Sequence, residues 1–259
     1  MQHTSLNNSK KSSLIVRVFR IMRIVLHTLY GAFISIFILP RVSNRRRDII
    51  IGRWSKSLLE VMNIKVMAFG HIPNFGLTGT MFVANHISWV DIHALNSIRT
   101  VRFIAKSEVR DWPVFGWLAI KANTLFINRT KKQDTGRIVE IATESLQAGD
   151  CLCYFPEGTT TDGTELKVFK GSIMQAALNV GKPVWPFTVR YPNRDGSLNT
   201  NMAYFGDMTL MESMWLILSE KSPVVELEFL APISTKGHDR RSLTLAARHA
   251  ISDRLNLKN

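Results

Sequence analysis

Short apolar runs alternate with helical patterns of apolar residues from residue 64 to the end of the chain. Runs of four to eight apolar residues are typical of buried strands, and apolar positions three or four residues apart are typical of helices. The pattern predicts strands at 64–69, 80–84, 101–105, 124–127, 151–155, 184–189 and 224–230. It predicts helices at 89–97, 112–122, 135–148, 170–180, 209–219 and 241–255. This alternation favours an α/β fold in which helices cover a sheet.

The first 62 residues have a different pattern. The polar residues 1–13 are predicted to be disordered. Arginines at positions 17, 20 and 23 recur at helical spacing among apolar residues, which predicts an amphipathic basic helix that lies on anionic lipid. This helix continues into 24–39, sixteen residues without Lys, Arg, Asp or Glu, and a second helix is predicted at 45–62. We therefore divide the chain into a basic, membrane-associating region at 1–62 and an α/β domain at 63–259.

The charge of the chain supports this division. Its formal net charge is +13, and residues 1–60 contain eleven Lys or Arg against two acidic residues. A strongly basic chain attracts polyanions, which are nucleic acids or anionic membrane surfaces. A nucleic-acid-binding protein would spread its basic and aromatic residues over a folded face, whereas here the basic residues flank an apolar segment. We therefore expect membrane lipids as partners and no nucleic acid.

The apolar segment 24–39 permits two arrangements in a membrane. A sixteen-residue helix is about 24 Å long, less than the ~30 Å hydrocarbon core, unless the apolar turns before it are included. Spanning and half-insertion both remain open, and a buried globular helix is the remaining alternative. Basic residues rather than a small-x-small site follow the segment, which disfavours a cleavable signal peptide. Cys151 and Cys153 make no disulfide framework and indicate a reducing compartment, so we expect the cytoplasmic face of a bacterial inner membrane.

A histidine and an aspartate lie five residues apart, just after the predicted strand at 80–84. His86 is a candidate general base, and Asp91 in the first turn of the next helix can reach its ring and fix the tautomer. Asn85 and Ser88 suit the same turn because short polar side chains cap helix starts. By itself the spacing fits a structural histidine beside a capped helix equally well.

A second polar turn, 155–163, follows the predicted strand at 151–155. Gly158 offers backbone amides close to a ligand, Glu157 offers a carboxylate, and the threonines offer hydroxyl groups. An amide near Gly158 is the candidate oxyanion donor. The alternative is an ordinary polar turn. Because ligands bind at the carboxyl ends of strands in open α/β sheets, we expect this turn and His86 to share one sheet edge.

Two cations and an apolar run complete the candidate site. Lys106 and Arg129 each follow a predicted strand, where the guanidinium of Arg129 suits a phosphate or carboxylate, although a solvated arginine is the simpler alternative. Pro186 belongs to the apolar run 183–187, which lines an acyl channel or forms a core strand.

Taken together and in this order, the four segments resemble the glycerolipid acyltransferase family, which contains the 1-acylglycerol-3-phosphate acyltransferases. The resemblance extends from about residue 70 to residue 186. It implies an acyltransferase domain with a mixed sheet flanked by helices, on an N-terminal membrane-seated helical pair. It also implies that His86 is the general base and Asp91 its orienting partner. The predicted substrate-binding residues, at the matched positions and beside them, are Asn85, Lys106, Arg129, Phe155, Pro156, Glu157, Gly158, Thr159 and Pro186.

The resemblance implies an O-acyltransferase that moves a fatty acyl chain from acyl-CoA or acyl carrier protein to the free hydroxyl of a lysolipid. The first candidate acceptor is 1-acyl-sn-glycerol 3-phosphate or a related lysophospholipid. Direct transfer needs no nucleophilic residue, and the chain has no GxSxG motif. The remaining histidines have no metal-ligand spacing, so we expect neither metal nor cofactor and interpret His93 as structural. No pattern predicts an oligomeric state.

The sequence departs from the phosphatidate-forming members of the family at two positions. Those members commonly have arginine where this chain has Thr160, and losing a bidentate phosphate clamp favours another acceptor such as lyso-ornithine lipid. Asn123 replaces a frequent glycine, with little expected effect because asparagine tolerates left-handed backbone. An inactive lysolipid-binding membrane protein and a transacylase with a phospholipid donor are the remaining alternatives.

Overall fold

The computed structural model describes residues 11–74, 76–112, 114–127 and 132–257. In these ranges the chain forms one seven-stranded sheet with helices on both faces. The strands are β1 Lys65–Gly70, β2 Met81–Ala84, β3 Arg102–Lys106, β4 Leu125–Ile127, β5 Leu152–Tyr154, β6 Val184–Arg190 and β7 Val224–Phe229. The helices are α1 Leu14–Phe33, α2 Asn44–Val61, α3 Val90–Ile98, α4 Phe115–Lys121, α5 Lys132–Gln147, α6 Met174–Val180, α7 Leu210–Ser219 and α8 Arg240–Leu255.

These elements confirm the predicted α/β class and differ from the predicted bounds mainly where three helices begin. The helix predicted from residue 135 begins at Lys132. The helix predicted from residue 112 begins at Phe115, after a 3₁₀ turn at Ser107–Asp111. The helix predicted from residue 170 begins at Met174, after another 3₁₀ turn at Gly171–Ile173. A Cβ atom at Gly171 would lie 2.3 Å from the Thr244 hydroxyl of α8, so close packing explains the glycine there.

The sheet is mixed, as predicted, and its topology sets the position of the polar turns. The strand order is β1-β7-β6-β2-β5-β3-β4. Strands β6, β2, β5, β3 and β4 are parallel, whereas β7 is antiparallel to β6 and β1 is parallel to β7. The carboxyl ends of the five parallel strands therefore meet at one edge, where ligands bind in sheets of this kind.

Each face of the sheet has its own buried apolar cluster. Phe82, Phe103 and Phe187 pack on one face with residues of α2, α3 and α7. Met81 and Val83 point to the other face and pack with residues of α5, α6 and α8. This alternation is the two-residue period of a strand, so β2 is buried on both sides and holds the turn that follows it rigidly.

Helix α1 exposes its apolar side to the outside of the protein. Ile15, Leu26 and Leu29 are 82%, 59% and 61% exposed, which is unusual for large apolar residues in a soluble protein. In the described ranges, the stretch Leu14–Arg41 alone is long and apolar enough to cross a membrane. Helix α2 instead buries Leu58, Leu59 and Val61 in the protein core. Both predicted helices form, but α1 carries the apolar outer surface.

Arg20 fixes α1 to the rest of the protein, contrary to its predicted place on lipid. Its Nη1 donates to the carbonyls of Leu218 (3.2 Å) and Glu220 (2.7 Å), and its Nη2 donates to that of Lys221 (2.9 Å). These carbonyls end α7, and the last carbonyls of a helix lack partners within it and attract cations. Arg20 is accordingly 7% exposed and faces the protein rather than lipid.

Candidate active site

His86 and Asp91 form a hydrogen-bonded pair at the carboxyl end of β2. The distance from His86 Nδ1 to Asp91 Oδ2 is 2.8 Å, and the backbone N–H groups of Ile87 and Ser88 donate to the same oxygen at 2.9 and 3.0 Å. A carboxylate only accepts hydrogen bonds, so Nδ1 carries the proton and Nε2 keeps its lone pair. No hydrogen bond from the described residues reaches Nε2, and the side chain is 17% exposed. The ring is therefore oriented to accept a proton from outside.

Tyr191, directly after β6, holds the second oxygen of the carboxylate. Its hydroxyl donates to Asp91 Oδ1, and both residues are almost completely buried. Burial, followed by the adjacent charge of Asp91, raises the pKa of Tyr191 well above its ordinary value, so the hydroxyl remains a donor. Sequence reasoning missed Tyr191, although it follows a strand that ends at the same sheet edge.

Replacing Tyr191 with phenylalanine is expected to lower kcat about tenfold and leave KM nearly unchanged. The buried carboxylate loses one charge-assisted hydrogen bond, and about 1.4 kcal/mol corresponds to a factor of ten. Steady-state kinetics on the folded variant measure this split. Tyr204→Phe is the matched control, because that ring packs edge-on against Trp112 and only its backbone N–H reaches the catalytic turn, at the Ile87 carbonyl. Equal losses in the two variants, or a change in KM alone, would contradict a positioning role.

Phe155 supports one face of the imidazole. The two rings are parallel within 7° and their centroids are 3.9 Å apart. Phe103 in β3 stacks on Phe155 in turn, with centroids 6.1 Å apart. Both phenylalanines are buried, so one side of His86 is shielded from water while the edge with Nε2 stays accessible.

Glu157 joins the two polar turns through the backbone of His86. Its Oε1 accepts from the His86 N–H at 2.8 Å, and its Oε2 accepts from the Lys167 N–H at 3.0 Å. The side chain is 3% exposed, and burial raises the pKa of its carboxyl while the two N–H donors oppose that shift. Both oxygens are thus occupied by backbone groups, so Glu157 positions His86 instead of presenting a free carboxylate to a substrate.

The turn after β5 contacts the catalytic turn again through its backbone. Thr161 donates its N–H to the His86 carbonyl at 2.9 Å, and the Pro156 carbonyl accepts from Lys170. Gly158 adopts a positive φ of 76°, and its N–H donates to the Phe155 carbonyl at 3.1 Å. That N–H closes the turn, so the expected oxyanion donor near Gly158 has to be a neighbouring N–H. The next N–H groups, of Thr159 and Thr160, have no hydrogen bond to the described residues.

Comparison with known proteins decides the family. Residues 63–190 match the family model described as Acyltransferase. A lyso-ornithine lipid O-acyltransferase of Pseudomonas aeruginosa is 37% identical over 198 residues, which cover 76% of this chain and 75% of that protein. A 1-acyl-sn-glycerol-3-phosphate acyltransferase of Neisseria meningitidis is 34% identical over 203 residues, which cover 78% of this chain and 77% of that protein. The chain belongs to the acyltransferase family.

A solved structure supports the fold of this acyltransferase. The crystal structure of the 1-acyl-sn-glycerophosphate acyltransferase PlsC from Thermotoga maritima matches with a TM-score of 0.64 at 23% identity. The match covers 92% of this chain and 96% of the other. A match of this extent shows that the two chains share their fold.

Two residues predicted to bind substrate in this acyltransferase lie inside the sheet instead. Asn85 is 3% exposed, and its amide exchanges two hydrogen bonds with the backbone of Val189, at 2.9 and 2.8 Å. It therefore ties β2 to β6. Pro186 is buried in β6 opposite Val83, and its carbonyl accepts from Leu230. Neither side chain is available to a ligand, because strand pairing occupies its surroundings.

The structure describes two of the three remaining residues that the sequence predicted to bind substrate. Lys106 ends β3 at the catalytic edge with an exposed side chain. Thr159 is exposed in the turn after β5. Arg129 lies outside the described residues. In the ranges that are described, no three His, Cys, Asp or Glu side chains lie close enough to hold a metal ion.

An apolar cavity of ≈ 190 Å³ lies behind Phe103, on the face of the sheet covered by α2 and α3. Helices α1 to α4 and strand β3 contribute its walls, among them Trp54, Trp89 and Leu118. Phe103 borders the cavity and also stacks on Phe155, so the cavity adjoins the support of His86. The apolar run 183–187, one of the sequence candidates for an acyl channel, contributes no residue to this wall.

Proposed function

We propose that this acyltransferase moves a fatty acyl chain from an acyl thioester to the free hydroxyl of a lysolipid, with His86 as the general base. The oriented imidazole with an accessible Nε2 carries the proposal. The names of the two relatives support a lysolipid acceptor, because one acts on lyso-ornithine lipid and the other on 1-acyl-sn-glycerol 3-phosphate.

The reaction is one direct displacement through a tetrahedral intermediate. His86 Nε2 takes the proton of the lysolipid hydroxyl as its oxygen attacks the thioester carbonyl, and Asp91 stabilises the imidazolium. The carbon–sulfur bond then breaks, and the thiolate takes the proton back from His86 to leave as a thiol. The N–H groups of Thr159 and Thr160 are the proposed donors to the oxyanion, because the N–H of Gly158 already donates to the Phe155 carbonyl within the turn. Neither metal nor cofactor takes part in these steps.

The donor is proposed to be acyl-CoA or acyl carrier protein, with the acyl chain in the apolar cavity. Most of the cavity's lining is apolar, which is the environment that a hydrocarbon chain needs. Both carriers are cytoplasmic thioesters, so the cytoplasmic face of the membrane is the proposed location. The exposed apolar side of α1 and the basic residues around it support membrane association.

Thr160 favours an acceptor without a phosphate monoester. A phosphate monoester carries up to two negative charges, and a fork of guanidinium donors is the usual means of holding it. Thr160 offers one hydroxyl in its place and is half-buried. We therefore propose lyso-ornithine lipid as the first acceptor, with 1-acyl-sn-glycerol 3-phosphate as the second candidate on the strength of the Neisseria relative.

The test is acyl transfer by the enzyme in lipid vesicles, with two donors and three acceptors. Labelled acyl-CoA and acyl carrier protein are each offered with lyso-ornithine lipid, lysophosphatidate or lysophosphatidylcholine. We expect the highest kcat/KM with lyso-ornithine lipid. In Thr160→Arg, the ratio of kcat/KM for lysophosphatidate to kcat/KM for lyso-ornithine lipid should rise about tenfold, which is the effect of one added charge-assisted hydrogen bond. Thr164→Arg, which adds the same charge at an exposed position nearby, is the control. Absence of transfer to every acceptor would refute the function.

A further inference from the structure

His93 is a polar side chain in the wall of the apolar cavity. Its ring meets Trp54 and Trp89 edge-on, with centroids 5.6 and 6.2 Å away. Nδ1 is buried without a hydrogen-bond partner among the described residues. No hydrogen bond from that part of the chain reaches Nε2 either. The ring therefore contributes hydrogen-bonding atoms to a cavity whose other walls are mostly apolar.

An unpaired imidazole in this place is unusual. The great majority of buried side-chain polar atoms have a partner, and leaving one unpaired destabilises the folded protein. Burial lowers the pKa of His93 to about 4, with a smaller contribution from His27, so the ring is neutral at neutral pH. A neutral imidazole has one N–H donor and one nitrogen acceptor, which matches a hydroxyl group better than a charged one.

The apolar surroundings decide between water and a ligand as the partner. A stable buried water needs two to four polar partners, and the indole N–H groups of Trp54 and Trp89 beside the ring already donate to the His27 carbonyl and the Ser213 hydroxyl. A hydroxyl on a hydrocarbon chain needs only the ring, because the chain fills the apolar remainder. Other polar side chains also line the cavity and are the rivals of His93, namely Ser35, Ser55, Asn96 and Thr124.

We propose that His93 binds a hydroxyl group on the donor's acyl chain, so that the enzyme prefers hydroxyacyl thioesters over unsubstituted thioesters of the same length. This inference rests on the proposed function, because it takes the cavity as the acyl site. His93 is then a specificity residue and takes no part in the proton transfer at His86. The reaction and its atoms are unchanged, and only the choice of donor depends on the ring.

The experiment compares acyl-CoA donors of one chain length, unsubstituted or hydroxylated at successive carbons, with the full-length enzyme in vesicles. We expect at least one hydroxyacyl-CoA isomer to have a kcat/KM about tenfold higher than the unsubstituted acyl-CoA. One hydrogen bond to an otherwise unpaired group provides an effect of this size. His93→Phe should abolish that preference, so that hydroxylated and unsubstituted donors of one length have equal kcat/KM in the variant. His93→Gln should keep part of the preference, since an amide also donates and accepts.

Two controls make each outcome decisive. Ser55→Ala removes a hydroxyl from the same cavity wall. If the preference for hydroxyacyl donors is lost in Ser55→Ala and kept in His93→Phe, the assignment to His93 is overturned. A wild type that transfers unsubstituted chains without any hydroxyl preference would overturn it too, while leaving the proposed function intact. Failure with every donor would refute the function itself.

Thermal unfolding provides a readout without turnover. His93→Phe should unfold at the same temperature as the wild type or higher, because an unpaired polar atom is removed from apolar surroundings. A free hydroxylated fatty acid should raise the Tm of the wild type more than its unsubstituted analogue, and should lose that advantage in the variant. Equal shifts for both fatty acids in the wild type would contradict the proposal even if the variants fail to fold.

Discussion

The variant His86→Ala is expected to lose about 10³- to 10⁴-fold in kcat, the range of a general base held by a carboxylate. Without Nε2, no group in the described site takes the proton of the acceptor hydroxyl, and water does so poorly. Vesicle binding should be unchanged, because the apolar surface of α1 lies outside this turn. Initial rates with saturating donor and acceptor, together with vesicle flotation, measure the two properties separately.

Asp91→Asn provides the matching variant for the orienting partner. The amide oxygen of asparagine keeps the position of Asp91 Oδ2, because the N–H groups of Ile87 and Ser88 donate to it there, but the variant lacks the negative charge that stabilises the imidazolium. We expect a loss close to that of His86→Ala, and the double variant should lose little more because the two residues act as one unit. His71→Ala, at an exposed histidine, should stay within about twofold. Near-normal turnover by His86→Ala would end the general-base mechanism.

Removing Glu157 should have the second-largest effect, on both stability and turnover. Glu157→Ala leaves the part-buried N–H groups of His86 and Lys167 without acceptors, which costs about 2–4 kcal/mol of unfolding free energy. The backbone of His86 also loses a tether, so kcat should fall about 10- to 100-fold as the ring loses its fixed position. Urea unfolding and steady-state kinetics measure the two losses.

Two further variants isolate the cause. Glu157→Gln keeps the volume and one acceptor, so it should fall between the wild type and Glu157→Ala in both measurements. Glu165→Ala removes an exposed carboxylate from the same segment, 3.9 Å from Lys167, and should change the unfolding free energy by less than about 0.5 kcal/mol. A Glu157→Ala protein as stable as the wild type would show that the two N–H groups find other partners.

Local patterns in the sequence predicted the fold and the contact between His86 and Asp91 well, for a physical reason. Each strand is a short apolar run between polar turns, and its side-chain period is set by local geometry. His86 and Asp91 are five residues apart, so a single turn and the start of α3 determine whether they meet. The structure brings them within hydrogen-bonding distance, as that spacing predicted.

The contacts that sequence reasoning missed join residues far apart in the chain. Glu157 occupies a matched motif position and Asn85 lies beside one, yet their side chains bond to the backbone of Lys167 and Val189. Tyr191 reaches Asp91 across 100 residues. Such partners depend on which strands become neighbours in the sheet, and no local period encodes that order. The role of Arg129 stays a prediction.

The attachment of α1 by Arg20 has a consequence for how the enzyme meets its acceptor. Arg20 bonds the Glu220 carbonyl, the Glu220 side chain accepts from Asn199, and the Asn199 N–H bonds the carbonyl of Tyr191, whose hydroxyl holds Asp91. The position of His86 relative to α1 is therefore set by a continuous series of hydrogen bonds, not by a loose tether. An acceptor that stays in its leaflet is then reached by lateral diffusion, a search in two dimensions in place of three.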